Sequence, residues 1–430
     1  MKKRNTLPAQ TLILGFLLTI LLGSVLLVLP FSTVKPVSYV DSLFTSVSSV
    51  CVTGLTTIDV GTTFSTAGKI IIAILIQIGG LSFASFAIFF LVVFGKTPSL
   101  SGTELFQQAL NIDSRKHIRS LVKVVIFVTM IVETIGFILT YLAIKPFFPK
   151  WQAIGISAFH AISAFNNAGI DILGNYQSLT SFRTNVLLNL STCLLIISGG
   201  LGFYSLRDIV VHRKWKKLSN HTKIVLTTSI FLIVIGTILL LLAGRHSNIT
   251  LLEAFFQSVT SRTAGFNTVD LNAFSHSGLL IIMILMFIGA SPGSTGGGIK
   301  TTTAFAAVIS IIGFVRNREP VAFKRRISRN STLKAFSVII LGMVAISVCC
   351  LLILFIEDSN FTFMEVVFES ISAFATVGLS LGITTLLSSS SKIIIMILMF
   401  VGRLGPLTLV SSRRIRNINI EYIEEDILIG

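Results

Sequence analysis

Four short polar segments of this sequence each end in a glycine and align with one another without gaps. They read FTSVSSVCVTG ending at Gly54, FHAISAFNNAG at Gly169, FFQSVTSRTAG at Gly265 and FESISAFATVG at Gly378. A phenylalanine lies ten residues before each glycine (Phe44, Phe159, Phe255 and Phe368), and Ser48, Ser163 and Ser372 share another column. Four copies in one register indicate a repeated structural unit rather than a chance similarity.

The backbone carries the chemistry that these segments could perform. If the four glycines meet at one axis, the residues around them form short extended strands whose carbonyl oxygens can replace the water around a monovalent cation. Glycine suits this position because it accepts positive φ angles and leaves room for neighbouring strands. The alternative, a Ser/Thr/Gly turn that only ends a helix, is reasonable for one copy and disfavoured for four. The predicted ion-binding residues are Val52, Thr53, Gly54, Leu55, Asn167, Ala168, Gly169, Ile170, Thr263, Ala264, Gly265, Phe266, Thr376, Val377, Gly378 and Leu379.

The composition indicates the class of protein to which these strands belong. The chain has 430 residues, of which 53% are hydrophobic and only 12% are charged, and this balance excludes a soluble globular protein. We therefore predict an all-α integral membrane protein. The four cysteines lack the spacing of a disulfide framework or a metal site.

The hydrophobic spans place each glycine segment inside a repeated unit. An apolar span (7–29, 121–144, 224–243 and 336–356) precedes each segment, and a second span (70–94, 186–205, 279–289 and beyond, 393–410) follows it. A segment of about a dozen residues is too short to cross a bilayer, so we predict a re-entrant pore helix. The repeats are predicted to occupy residues 1–101, 102–214, 215–328 and 329–430.

Lys and Arg cluster between the repeats and at both ends of the chain, and the net charge is +16. Because cytoplasmic loops carry the excess of positive charge, all the clusters are expected on the cytoplasmic side, together with both termini. An even number of crossings then separates successive clusters. The charge orients the protein in the membrane, and we predict no nucleic-acid partner.

Two features interrupt the second spans. In the third repeat, residues 289–300 form a run rich in glycine with a proline, through which a helix cannot continue. In the fourth repeat, Arg403 occupies the column that holds Gly80, Gly200 and Ala290 in the others. A cation near mid-membrane is costly, so Arg403 is expected to face water, a partner or the pore. The alternatives are a plain glycine kink and an arginine that reaches the interface from a helix end.

Two other classes of membrane protein fit the sequence less well. A membrane enzyme is disfavoured, because the six histidines show no HExxH pairing and no nucleophile elbow or paired intramembrane aspartates appear. A secondary cation symporter would bind its substrate at the midplane between inverted repeats. The repeats here are separated by even crossings and so run parallel, which favours a pore.

Helix, pore loop and helix repeated four times, with Thr376-Val377-Gly378 in the last copy, resembles the Ktr and Trk potassium-uptake family of bacterial ion-translocating membrane subunits. The resemblance implies eight spanning helices and four pore helices about a pseudo-fourfold axis. It also implies potassium as the substrate, no cofactor bound by this chain, and a location in the bacterial cytoplasmic membrane. Sodium dependence stays open, and the single glycine per strand departs from the TVGYG pattern of potassium channels.

The resemblance also assigns a gate and partners. The broken third repeat corresponds to a loop that obstructs the cavity below the filter, and Arg403 to an arginine that projects into the permeation path. The implied assembly is a homodimer in membrane lipid, docked on a cytoplasmic ring of nucleotide-binding regulatory subunits. The expected gate residues are Gly289, Ala290, Ser291, Pro292, Gly293, Ser294, Thr295, Gly296, Gly297, Gly298, Lys300 and Arg403.

Overall fold

The computed structural model of the chain describes residues 8–81, 118–244, 249–358 and 360–406. Apart from a two-residue β-hairpin (β1, Val321–Ala322, and β2, Arg325–Arg326), its regular elements in these ranges are helices, including several short 3-10 turns. In chain order the α-helices are α1 (Pro8–Val28), α2 (Tyr39–Cys51), α3 (Val60–Thr63), α4 (Thr66–Gly80), α5 (Ile118–Ile144), α6 (Lys150–Phe165), α7 (Val186–Gly200), α8 (Phe203–His212), α9 (Asn220–Ala243), α10 (Leu251–Thr260), α11 (His276–Phe287), α12 (Thr301–Val315), α13 (Arg329–Glu357), α14 (Phe363–Ala375) and α15 (Ser389–Leu404).

Four of the described helices are long and apolar enough to cross a membrane by themselves: α1, α5, α9 and α13. Each opens one of the predicted repeats, and each confirms a predicted first span. Their outer faces expose large apolar side chains, among them Leu22, Phe127, Phe231 and Phe355. Such faces are stable against lipid tails and would be costly in water.

Each first helix packs against the pore helix that follows it: α1 on α2, α5 on α6, α9 on α10, and α13 on α14. The pore helices have 13, 16, 10 and 13 residues, close to the predicted length. Capping boxes begin two of them, where Thr250 pairs with Glu253 and Thr362 with Glu365. The prediction of an all-α fold built from helix, pore loop and helix units is confirmed.

The second helices are shorter than the first ones. The described parts of α4, α7, α11 and α15 have 15, 15, 12 and 16 residues and do not by themselves match the thickness of a bilayer. The predicted continuation of the first-repeat span over residues 82–94 and the end of the fourth-repeat span after residue 406 lie outside the described residues. So do the basic cluster near residues 96–116 and the C-terminal tail.

The second span of repeat 2 differs from its prediction. Residues 186–205 were expected to form one helix, but α7 ends at Gly200 and the chain turns by 97° into α8. Gly202 permits the turn with a φ of +84°, which only glycine adopts easily. The third span breaks as predicted, between the end of α11 at Phe287 and the start of α12 at Thr301.

Candidate functional site

The four aligned glycines form a closed ring at the point where the four pore helices end. A Cβ atom built on Gly169 would lie 2.9 Å from the Cα of Gly265, and one on Gly265 would lie 3.2 Å from the Cα of Gly378. The ring closes because a Cβ on Gly378 would lie 2.8 Å from the Cα of Gly54, and one on Gly54 would lie 3.3 Å from the Cα of Gly169. The backbones of the four repeats therefore meet in sequence order around one axis.

Backbone carbonyls surround this ring. The same hypothetical Cβ atoms would collide with the carbonyl oxygen of the residue that precedes the next glycine, which is Ala168, Ala264, Val377 or Thr53. Each strand thus presents a carbonyl oxygen beside the glycine of its neighbour. Four such oxygens at one level form the kind of ring that can coordinate a dehydrated monovalent cation.

The backbone conformation of the four strands repeats as well. The glycines have φ angles of +95°, +65°, +79° and +92°, and the residues two positions earlier (Val52, Asn167, Thr263 and Thr376) also have positive φ. In repeats 1 and 4 these residues cap the pore helix in the left-handed conformation that typically terminates a helix, and in repeats 2 and 3 they follow shortly after its end.

Hydroxyl groups hold the strands in place from behind. Ser48 Oγ accepts a hydrogen bond from the Gly54 amide at 3.0 Å, and Ser372 Oγ accepts one from the Gly378 amide at 3.1 Å. In repeat 2, Ser163 Oγ donates to the carbonyl of Ile170 at 2.6 Å. The conformation of each strand is therefore fixed by a buried side chain of its own pore helix.

The third repeat corrects the predicted alignment. Phe255 is half-buried, whereas Phe256 is fully buried like Phe44 and Phe368, so the true column contains Phe256. The hydroxyl group that supports the strand in this repeat belongs to Thr260, which donates a hydrogen bond to the Phe266 carbonyl at 2.8 Å. The reason is a tighter turn: the Ala264 amide bonds to the carbonyl four residues back, whereas the equivalent amides of the other repeats reach five residues back.

The structure brings the sixteen predicted ion-binding residues together at the centre of the four repeats. All of them are buried except Gly378, which is half-buried. The end of each strand that follows directly on its pore helix is called here the lower end. There the side-chain amide of Asn167 is hydrogen-bonded to the Thr263 hydroxyl at 3.0 Å, which joins repeats 2 and 3. No described charged side chain belongs to this set.

The loop of residues 289–300, called here the third-repeat loop, lies directly beneath the strands. The Gly297 amide donates to Thr376 Oγ1 at 3.0 Å. A Cβ added to Gly289 would lie 3.2 Å from the Thr263 methyl group, and one added to Gly298 would lie 3.2 Å from Ala375. The loop therefore contacts the lowest residues of two strands, and its glycines allow this close approach.

The third-repeat loop also fills the corner formed by the bend in repeat 2. The Ser291 amide donates to the Gly200 carbonyl at 3.0 Å, and the Phe203 amide donates to the Gly293 carbonyl at 2.9 Å. Inside the loop, Lys300 Nζ donates to the Gly296 carbonyl at 2.7 Å. The bend after α7 in repeat 2 therefore packs directly against the break after α11 in repeat 3.

Arg403 joins the third-repeat loop to repeat 1. Its guanidinium donates to the carbonyl of Thr295 in the loop and to the carbonyls of Gly79 and Gly80 at the end of α4. Carbonyls at a helix C-terminus carry partial negative charge, which favours a cation at this place. Arg403 therefore joins repeats 1, 3 and 4 below the strands.

Two groups of supporting residues were missed in the sequence. Gly79, Gly199 and Gly402 pack so closely on the carbonyls of Val50, Phe165 and Phe374 that a side chain could not fit. These glycines precede the column of Arg403, and their recurrence at one position of each span was the available signal.

The second group is a polar contact between repeats. Asn166 Nδ2 lies 2.8 Å from Gln77 Oε1 and 3.2 Å from Glu133 Oε1, and polar residues within apolar spans are themselves a signal.

The aspartates after the strands accept hydrogen bonds from nearby turns, and Asp59 also accepts one from the Asn175 amide of repeat 2. Asp59 and Asp270 accept hydrogen bonds from the amides of Gly61 at 2.9 Å and Asn272 at 3.0 Å, each two residues ahead. Asp171 accepts one from the Leu173 amide at 2.9 Å. The contacts made two residues ahead are turn and helix-cap interactions.

Comparison with known proteins agrees with this architecture. The chain is 38% identical over 98% of its length to the Ktr system potassium uptake protein B of Bacillus subtilis (strain 168), covering 97% of that protein. It is 37% identical over its whole length to the potassium/sodium uptake protein NtpJ of Enterococcus hirae, covering 99% of it. The crystal structure of the potassium transporter TrkH from Vibrio parahaemolyticus has the same fold, with a TM-score of 0.74, 19% identity, and coverage of 95% of this chain and 86% of that one.

A family model described as TrkH, cation transport protein, matches residues 4–420, which is nearly the whole sequence. The match includes all four glycine strands, the third-repeat loop and Arg403. By this match and by its relatives, the chain belongs to the Ktr/Trk family of cation transport proteins, which are ion transporters and not enzymes.

Proposed function

We propose that this protein takes up potassium across the bacterial cytoplasmic membrane through a filter of backbone carbonyls. The observation that carries the proposal is the closed ring of Gly54, Gly169, Gly265 and Gly378, with a carbonyl oxygen beside each glycine. Uncharged carbonyls suit a weakly hydrated monovalent cation, which they can bind without holding it too tightly to leave. Relatives named as potassium uptake proteins support the choice of potassium.

The pore helices strengthen this proposal. All four end at the ring, so the negative ends of their dipoles point toward a cation at its centre. The third-repeat loop and Arg403 are proposed as the gate, because both lie below the ring and touch one another. Both chain termini are proposed to lie in the cytoplasm.

Uptake by whole cells tests the substrate. In a bacterium that lacks its own potassium transporters, expression of this chain with its regulatory partner is expected to restore growth at low potassium and to drive rubidium uptake. Sodium is varied in the same assay, since one relative is named a potassium/sodium uptake protein. Uptake that requires sodium in fixed stoichiometry with potassium would favour the alternative, a secondary cation symporter, and absence of any potassium or rubidium uptake would contradict both.

Assembly provides a second prediction. The Bacillus relative is named as part of a Ktr system. The corner between α8 and α9, which we propose is cytoplasmic, carries exposed Arg213, Lys214, Lys216 and Lys217. We expect a homodimer in membrane lipid, docked through such linkers on a ring of nucleotide-binding regulatory subunits. The mass of the detergent-purified complex, measured by light scattering with and without co-expressed regulatory subunit, checks this. A monomer with full, regulated flux in the absence of any partner would contradict it.

A further inference from the structure

Each pore helix carries one buried polar residue at the same position, three residues before the hydroxyl that supports its strand. The four residues are Thr45, His160, Gln257 and Glu369, and none is more than 5% exposed. Thr45 and His160 have partners that satisfy them, the carbonyl of Asp41 at 2.8 Å and the hydroxyl of Thr192 at 2.8 Å. Glu369 differs from the others because its side chain reaches the segment that follows the filter strand.

Glu369 is joined to the outer end of the repeat-4 strand by hydroxyl groups. Its Oε1 accepts a hydrogen bond from Thr384, and the Thr384 hydroxyl lies 3.1 Å from Ser380 Oγ. Ser380 follows Gly378 by two residues and accepts a hydrogen bond from the Gly382 amide at 2.9 Å. The carboxyl group thus fixes the turn by which the chain leaves the ring.

The surroundings of Glu369 do not stabilise a negative charge. The side chain is 0% exposed, and Oε2 has no hydrogen-bond partner among the described residues. A buried carboxyl group with one unbonded oxygen and no cationic partner is costly to ionise, which favours the neutral acid. In this state Glu369 is a neutral acid that accepts from Thr384 through Oε1.

The charged groups of the elements packed against α14 have other partners. On α14 itself, Glu365 belongs to the capping box at the helix start. On α13, Glu357 accepts from the Ser388 amide at 2.9 Å. On α15, Lys392 pairs with Asp41 at 2.9 Å, and Arg403 binds carbonyls below the ring. None of these described groups forms an ion pair with Glu369.

We propose that Glu369, held as a neutral acid, is a positioning residue that sets the outer end of the repeat-4 strand and thereby the preference for potassium. The inference rests on the proposed potassium function. This positioning role requires a side chain of the same shape that accepts a hydrogen bond from Thr384, and it does not require a negative charge. Gln, which is neutral and isosteric, should therefore replace Glu369, whereas an apolar residue of similar size should not.

The test measures potassium uptake kinetics and inhibition by sodium for Glu369→Gln, Glu369→Leu and Thr384→Val. We expect Glu369→Gln to keep the wild-type KM for potassium, and Glu369→Leu to raise it about tenfold with stronger inhibition by sodium, because unpaired polar groups would shift the turn. Thr384→Val should reproduce part of the Leu effect, and the double variant should be no worse than Glu369→Leu. Glu365→Leu, on the same helix, is the matched control and should keep the KM.

Several results would overturn the inference. Failure of Glu369→Gln like Glu369→Leu would show that the negative charge is required. A wild-type KM and sodium inhibition in both Glu369→Leu and Thr384→Val, with only the amount of protein reduced, would show a purely structural role. Thr384→Val decides the matter if Glu369→Leu does not fold. Lack of potassium uptake by the wild type would instead contradict the proposed function, and the inference with it.

Discussion

Replacement of Gly54, Gly169, Gly265 or Gly378 by Ser is expected to raise the KM for potassium by about tenfold or more, or to admit sodium, in each of the four variants. A serine side chain at any of these positions would enter the ring, where the neighbouring strand leaves no space for a Cβ atom. Only a shift of a backbone can accommodate it. Because that backbone supplies the carbonyls of the proposed filter, the shift changes the distance between the oxygens and the ion.

Backbone conformation adds to the expected effect. All four glycines have positive φ angles, which cost a residue with a side chain about 1–2 kcal/mol. The ring also couples the repeats, because each glycine touches the carbonyl of the next strand. A change in one strand is therefore expected to alter ion preference even though three strands remain intact.

A matched control exists in the pore helix of repeat 2. Gly155 is an exposed residue of α6, and a Cβ atom there would meet nothing within 4 Å. Gly155→Ser adds the same side chain without entering the ring, and we expect its potassium KM and sodium inhibition to stay near those of the wild type. The measurement is rubidium or potassium uptake against competing sodium in a transport-deficient strain. Unchanged affinity and preference in all four ring variants would contradict the assignment of the filter.

The repeat could be predicted from the sequence because its strongest signal is local. Glycine, phenylalanine and serine recur at fixed spacings, and these spacings survive wherever the pore helix enters the strand in the same way. The third repeat shows the limit of this reasoning. Its turn is one residue shorter, so an alignment without gaps selects Phe255 where the fold buries Phe256.

Contacts between repeats could not be predicted in this way. The apolar sequence of residues 186–205 is compatible with a straight helix. The bend after Gly200 is stabilised by loop residues about ninety positions later, such as Gly293. The partners of Arg403 are backbone carbonyls of Gly79, Gly80 and Thr295, and any residue type has a carbonyl. The sequence therefore indicated that Arg403 needs a partner without indicating which one.

Loss of the Arg403 side chain is expected to increase potassium flux in the absence of the regulatory partner. In the described structure Arg403 ties the third-repeat loop, through Thr295, to the end of α4. Arg403→Ala removes this tie and also removes a positive charge below the proposed filter. Two like charges roughly 4 Å apart repel by about 4 kcal/mol at an effective dielectric of about 20. Relief of only a third of that barrier would raise the flux about tenfold.

The loop and the arginine should act on the same barrier. A variant shortened by residues 294–296 loses the Thr295 carbonyl that Arg403 binds and the Gly296 carbonyl that Lys300 binds. We expect it to raise basal flux and to weaken the dependence on regulatory subunit and nucleotide. Combined with Arg403→Ala, it should add little, since residues that share one network are not additive.

Arg403→Lys separates the two contributions of the arginine. Lysine retains the charge but cannot reach three carbonyls on two elements as the planar guanidinium does. Its basal flux should therefore lie between those of the wild type and Arg403→Ala. Lys150→Ala removes a charge from the exposed start of α6, far along the chain from the loop, and should leave basal flux unchanged.

Potassium flux into proteoliposomes without regulatory subunits is the decisive measurement, because cells would supply partners of their own. Thermal stability of each purified variant establishes that it is folded. If the shortened loop and Arg403→Ala both fold and both leave basal flux at the wild-type level, neither element is the gate. If Arg403→Ala alone raises the flux, the charge and not the tie to Thr295 forms the barrier, since the shortened loop has lost that tie as well.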